Sequence, residues 1–243
     1  MQESKGQSPE ELSLKTIGSL VADDYRIAEV FEKNNIDFCC GGNVTLRDAC
    51  REKGVDPAAI LRDIEEVKRE PIERSQNFMA WELPFLADYI VNVHHAYINE
   101  NTAQLAAYTQ KIAEIHGSRH PEVKEIAVIF SKIAKDLIAH LREEEDFLFP
   151  KIKRVHEAKK AGKAPEQPDL NTIRDILEKL RREHEEVGDA IHTIRHLAKE
   201  YEIPADACNT YTVTYQRLKE FEDDLHKHVH LENNILFLKA EQL

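Results

Sequence analysis

Glycine and proline are scarce, with eight and nine residues in a chain of 243. A fold built from many strands and tight turns would need more of both at its corners. Cysteine is scarcer still: Cys39, Cys40, Cys50 and Cys208 are too few and too unevenly spaced to staple a chain of this length. No apolar run approaches the roughly 18 residues of a membrane helix. The opening MQESKGQSPEEL has neither a basic start nor an apolar core, so no signal peptide is expected and a cytoplasmic location is the default. There is no surplus of positive charge either. The formal net charge is −12, and lysines and arginines are interspersed with acids, which argues against a nucleic-acid or anionic-membrane surface.

What remains is rich in Leu, Ala, Glu and Lys arranged at helical spacing, which predicts an all-α protein. Residues 1–11 are polar and expected to be disordered. Residues 12–69 read as a small helical domain, with apolar faces at Leu20, Ile27, Val30 and Phe31 and again at Ile60, Leu61, Ile64 and Val67. Alone it is a marginal core. At its centre lies Asp37-Phe-Cys39-Cys40-Gly41-Gly42. Thr45 follows with Asp48 three residues on, an expected N-cap, and Asp56-Pro57 opens the next helix. The glycines are expected to supply positive φ ahead of that helix. Residues 70–83 break the periodicity and form a linker. Four long helices follow, at about 84–115, 121–158, 170–200 and 206–240, bounded by prolines and glycines. Their short connections make sequential neighbours antiparallel, a four-helix bundle over 84–243.

Twelve histidines are the compositional oddity. His140 and Glu144 stand four apart, as do His228 and Glu232, a spacing that stacks both side chains on one helix face. Both pairs lie on apolar stripes. The second long helix gives Ile126, Phe130, Ile133, Leu137, His140, Glu144 and Phe147. The third gives Ile173, Leu177, Leu180, His184, Val187, Ile191 and Ile194, and the fourth Leu218, Phe221, Leu225, His228, Glu232 and Ile235. In the first, His94 shares a stripe with Ile90 and Tyr97, and His95 one with Val91 and Ile98. His140 follows His95 at nearly the interval by which His228 follows His184, so each half of the bundle pairs a helix bearing one inward His with a helix bearing His-x-x-x-Glu.

A carboxylate buried in an apolar seam needs a cation. Four imidazoles and two carboxylates describe a mixed nitrogen and oxygen metal site. Two His per ion and two shared carboxylates give four protein donors to each of two metals, which suits iron better than zinc. His116, His120 and His156 fall near helix ends, and His192 and His196 beside the stripe, so capping or solvent accounts for them. His226 and His230 flank His228 on other faces. Cys39 and Cys40, next to two glycines and ahead of a helix N-terminus, read as redox or metal-transfer thiols; Cys50 and Cys208 read as core.

Taken in order, these motifs resemble the RIC family of di-iron proteins, the iron-sulfur cluster repair proteins. The resemblance covers nearly the whole chain. Asp37-Phe-Cys-Cys-Gly-Gly42 with Thr45-Leu46 is similar to the family's cysteine-bearing domain. Ile90-Val-Asn-Val-His-His95, His140-x-x-x-Glu144 running into Leu148-Phe-Pro150, Arg182-Glu-His184-Glu and His228-x-x-x-Glu232-Asn-Asn234 are similar to its hemerythrin-like domain. His94 stands where the family has an aromatic residue, and Leu238 where it has proline. The resemblance implies two non-haem iron ions, oxo- or hydroxo-bridged. His95, His140, His184 and His228 would be terminal ligands, and Glu144 and Glu232 bridges. It further implies homodimers and repair of iron-sulfur proteins damaged by nitric oxide or oxidants, with iron donated from the centre and Cys39 and Cys40 assisting. Reduction of nitric oxide to nitrous oxide at the two irons, or carriage or sensing of oxygen, are the alternative readings.

Overall fold

A computed structural model describes residues 8–39, 41–69, 71, 72 and 76–243, so Cys40 lies outside the described residues. Among the described residues the chain is helical throughout, relieved only by turns and one isolated antiparallel bridge between Thr16 and Thr45. No described helix is long and apolar enough to cross a membrane. The chain divides into two compact units. One comprises the residues up to Glu82 together with Val229–Leu238; the other comprises Leu83–His228 and Lys239–Leu243.

The first unit opens with five short helices: α1 (Pro9–Leu14), α2 (Ile17–Asp23), α3 (Ile27–Lys33), α4 (Leu46–Lys53) and α5 (Pro57–Val67). Side-chain caps start most of them. Ser8 and Glu11 cap α1 reciprocally, the Thr16 hydroxyl accepts from the Ser19 amide, the Thr45 hydroxyl from that of Asp48, and the Asp56 carboxylate from that of Ala58. Thr45 and Asp56 are thus the caps their spacing predicts. Helices this short are not stable by themselves in water, so packing must hold them. Leu20, Ile27, Phe31, Leu46, Ile60 and Ile64 form the centre of a buried core. That core includes His230, Leu236 and Phe237 from the distant segment of the same unit, which enlarges what residues 12–69 could bury alone.

The four predicted long helices appear with shifted ends, the last of them running through Val229–Leu238. The first runs through Leu83–Ile90, Val91–His95 and Ala96–His116, and the second through Glu122–Glu143, Glu144–Leu148 and Phe149–Lys160. The third is Gln167–Leu197, and the fourth begins at Asn209 and runs through Asn209–Leu231, Glu232–Leu236 and Phe237–Ala240. The middle piece of each composite helix is a π-turn. Its i→i−5 bond runs from the Ala96 amide to the Val91 carbonyl, from Phe149 to Glu144 and from Phe237 to Glu232. Such turns are rare and concentrate at functional sites.

Each π-turn inserts one extra residue and rotates the following stripe. Phe147, expected on the seam, is 63% exposed, and Leu148 takes its place fully buried. In the first helix the insertion buries His94 and His95 alike, with Ile90 and Ile98 still inward. Pro150 follows one π-turn and lacks an amide to donate, which such a turn accommodates. The turn at Glu232–Leu236 forms with Leu238 in the equivalent place, so proline is not its cause.

Candidate metal centre

All six predicted ligands lie within the long helices, on faces that bury them. His95, Glu144, His228 and Glu232 are completely buried, and His140 and His184 nearly so. Two groups of donor atoms come together: His95, Glu144, His228 and Glu232 in one, and His140, Glu144, His184 and Glu232 in the other. In each group, one atom per residue lies within 4.8 Å of the rest. Both carboxylates belong to both groups, so the two groups are adjacent and have two donor residues in common. Glu232 follows His228 by one turn on the same continuous helix.

Around this set the geometry is tight. His95 Nε2 lies 3.4 Å from Glu144 Oε2, and His140 Nε2 3.5 Å from Glu144 Oε1, so one carboxylate faces both imidazoles through its two oxygens. His140 and His184 bring their Nε2 atoms to 3.0 Å. The His228 ring meets that of His95 edge-on at 4.9 Å and stacks on His94 at 5.9 Å. Two lone-pair nitrogens held so close want a shared positive charge between or beside them. With two wholly buried carboxylates alongside, the donor set fits hard-to-borderline cations.

The imidazoles are oriented from outside by acids. Glu145 Oε1 lies 2.8 Å from His95 Nδ1, and Glu183 Oε2 2.7 Å from His140 Nδ1. Each fixes the Nδ1–H tautomer and leaves Nε2 to face inward, as metal-binding histidines require. The Glu183 carboxyl is held below its ordinary range, first by that bond to His140. His94 turns its Nδ1 to Asp224 Oδ1 at 2.9 Å and stays outside both donor groups. His95, open against His94 on periodicity, is thus the imidazole beside Glu144, whereas His94 faces Asp224.

Glu145 and Glu183 escaped the sequence reading as functional groups. Their signal was their position: each sits beside a ligand in sequence, about 100° round its helix, where it can reach a histidine of a neighbouring helix. A second omission is Glu222, wholly buried, whose Oε1 lies 2.9 Å from Arg195 Nε and 3.7 Å from His226 Nε2.

Cys39 is 5% exposed, and its thiol donates to Asp37 Oδ1 at 3.1 Å. The same carboxylate accepts from the amides of Cys39 (2.9 Å) and Gly41 (3.0 Å). The thiol's near neighbour is therefore a carboxylate; the N-terminus of α4 is occupied by its own cap. The glycines also serve differently from expectation. Gly42 does not have positive φ; a Cβ there would lie 2.8 Å from the Phe38 carbonyl oxygen and 2.9 Å from Asn234 Oδ1, so close approach is what excludes a side chain. Cys50 is buried as expected, whereas Cys208 is exposed, with its Sγ 3.1 Å from His116 Nε2. His192 and His196 face solvent.

Two family models match the chain. Residues 13–68 match ScdA_N, described as a "Domain of Unknown function (DUF542)", and residues 86–240 match the hemerythrin HHE cation binding domain. Among curated relatives, the iron-sulfur cluster repair protein ScdA of Staphylococcus haemolyticus (strain JCSC1435) is 30% identical over 223 residues, covering 92% of this chain and 96% of the relative. The iron-sulfur cluster repair protein YtfE of Enterobacter sp. (strain 638) is 29% identical over 224 residues, covering 92% and 95%. That of Yersinia pestis (strain Pestoides F) is 28% identical over 226 residues, covering 93% and 96%. With the cation-binding domain matched across its four bundle helices and a relative of this similarity over nearly its full length, the chain belongs to the hemerythrin HHE cation-binding family, in the group of the ScdA iron-sulfur cluster repair proteins.

Proposed function

We propose that this protein holds two non-haem iron ions and repairs iron-sulfur clusters damaged by nitrosative or oxidative stress, by donating iron to the damaged or apo protein. The observation that carries the reading is the pair of buried four-donor groups sharing both carboxylates. Four imidazoles and two carboxylates leave two ions short of the five or six ligands iron prefers, so small ligands complete them; a closed tetrahedral zinc site would leave no such room. In this reading His95 and His228 would hold one ion and His140 and His184 the other, with Glu144 and Glu232 available to both. The names of the relatives point to iron-sulfur proteins as clients.

The bound ions would supply Lewis acidity and one-electron redox chemistry. The chain's own residues supply the rest. Glu145 and Glu183 hold the outer nitrogens of His95 and His140, keeping both rings aimed inward. Glu183 lies at the half-exposed end of its pair, where Lys179 also reaches it with Nζ 3.4 Å from Oε1. Protonating His140 would remove a donor and loosen the iron held there, since a metal must compete with protons for every imidazole. Cys39 offers a soft thiol for receiving the cargo, with Asp37 placed to take its proton. Loading apo iron-sulfur protein with labelled iron from purified holoprotein tests this; iron that stays with the donor refutes it.

The sharing of both carboxylates also suits a second reading, reduction of nitric oxide, because two adjacent ions could each take one diatomic ligand. Nitrous oxide released by the reduced protein in an anaerobic single turnover supports that activity, and its absence removes it.

A further inference from the structure

Two residues beyond Glu232, within the same π-turn, the Asn234 carboxamide is buried against the cysteine-bearing loop. Its Nδ2 donates to the Phe38 carbonyl at 3.1 Å and lies 3.1 Å from His230 Nδ1, which uses both amide hydrogens. Asn233 Nδ2 reaches the Cys39 carbonyl at 3.4 Å. The two peptide carbonyls immediately before and at the thiol are therefore both held by side chains of one turn. On the other side, Oδ1 is enclosed by glycines: a Cβ on Gly18 would lie 2.2 Å from Oδ1 and 2.7 Å from Cγ, and one on Gly42 would lie 2.9 Å from Oδ1. The Gly18 amide donates to the Gly42 carbonyl at 2.8 Å, closing the cradle. The His230 ring completes it, packed 5.7 Å from the Tyr25 ring and 5.8 Å from that of Phe38.

We propose that Asn234 is a positioning residue: it fastens the Cys39 loop to the helix turn that carries Glu232, so that the state of Glu232 is felt at the thiol. The inference rests on the reading that Glu232 holds iron and that Cys39 receives it. A cation on Glu232 fixes the π-turn, the turn fixes the Asn234 amide, and the amide fixes the loop. Without the cation the turn loosens and the loop opens more often.

The test is the alkylation rate of Cys39 by iodoacetamide, resolved from Cys40 and Cys50 by tandem mass spectrometry, in metal-loaded and chelator-treated full-length protein. In the unaltered protein, stripping the metal should speed Cys39 alkylation about tenfold, the change in a local opening equilibrium expected when a buried hydrogen bond is lost. In Asn234→Ala the loaded protein should already react at the fast rate, and stripping should add nothing. Gly18→Ala should act from the other side of the contact, speeding Cys39 alone but having no further effect in the Asn234→Ala background. Should Asn234→Ala not fold, Asn234→Asp, equal in size and lacking the donor, carries the same expectation. A Cys39 rate unaffected by Asn234→Ala, or a parallel rise at Cys50, overturns the proposal. Failure of iron transfer by the unaltered protein would instead refute the function proposed above, since alkylation reads the loop without reference to any client.

Discussion

Replacing Glu144 by Gln should change stability in opposite directions with and without metal. Glu144 and Glu232 share both donor groups, so their facing oxygens lie within 4.8 Å of each other. Two unit negative charges at that distance repel by about 3.5 kcal/mol at an effective dielectric constant of about 20. On the function proposed above, cations in the loaded protein would more than offset this, and Glu144→Gln would take a donor from both of them. In stripped protein the repulsion is met only by whatever protons the imidazoles take up, and the same substitution relieves it. At about 2–4 °C per kcal/mol for a domain of this size, relief of even half the repulsion raises the melting temperature of the stripped variant by about 4–7 °C. Thermal melts followed by circular dichroism at neutral pH, with metal content measured on each sample, give both signs in one experiment. A fall in melting temperature of similar size in both states would show that Glu144 is an ordinary structural acid and would refute the reasoning.

Glu183→Ala and Glu145→Ala should each weaken metal retention by about 10- to 100-fold in chelator competition, because they release the outer nitrogen of a histidine in the donor set without removing it. His94→Phe should keep its metal and His95→Ala should lose it by elemental analysis, since His94 lies outside both donor groups. Arg195→Met should destabilise the bundle by about 3–5 kcal/mol in denaturant melts, as it strands the buried carboxylate of Glu222. The Asp169 carboxyl is held below its ordinary range by Lys151 and then Arg154. A depressed carboxyl stabilises above its unfolded pKa, about 3.9, and the contribution fades as pH falls through the folded value. Asp169→Asn should therefore lower the melting temperature at pH 7, by a margin that shrinks as the pH falls below about 3.9.

The seams were legible because burial and helical period leave the same mark on a sequence: Leu137, His140 and Glu144 follow one stripe, and so do Leu225, His228 and Glu232. Caps such as Thr45 and Asp56 were legible because a single side chain satisfies the amide two or three residues on. The π-turns were not. They follow from a local choice of i→i−5 over i→i−4 bonding that leaves the composition unchanged, and one extra residue exchanges Phe147 for Leu148 on the inner face. Glu145, Glu183 and Glu222 were missed because an acid on a helix flank looks solvated until the neighbouring helix is in place. Gly18 and Gly42 could be seen as glycines but not as a cradle, since Asn234, the side chain they admit, lies at the far end of the described chain.

The membership of Val229–Leu238 in the first unit bears on how the protein is made. A ribosome delivers α1 to α5 early, yet the segment that completes their core emerges only after Leu83–His228, and it carries Glu232 with it. The cysteine loop and Glu232 thus acquire their final surroundings only once Val229–Leu238 has been made. A nascent chain stalled or cut anywhere before residue 229 would lack both at once. It would then be left with an unfinished hydrophobic surface for quality-control proteases to recognise, and with no complete pocket in which to trap loose iron.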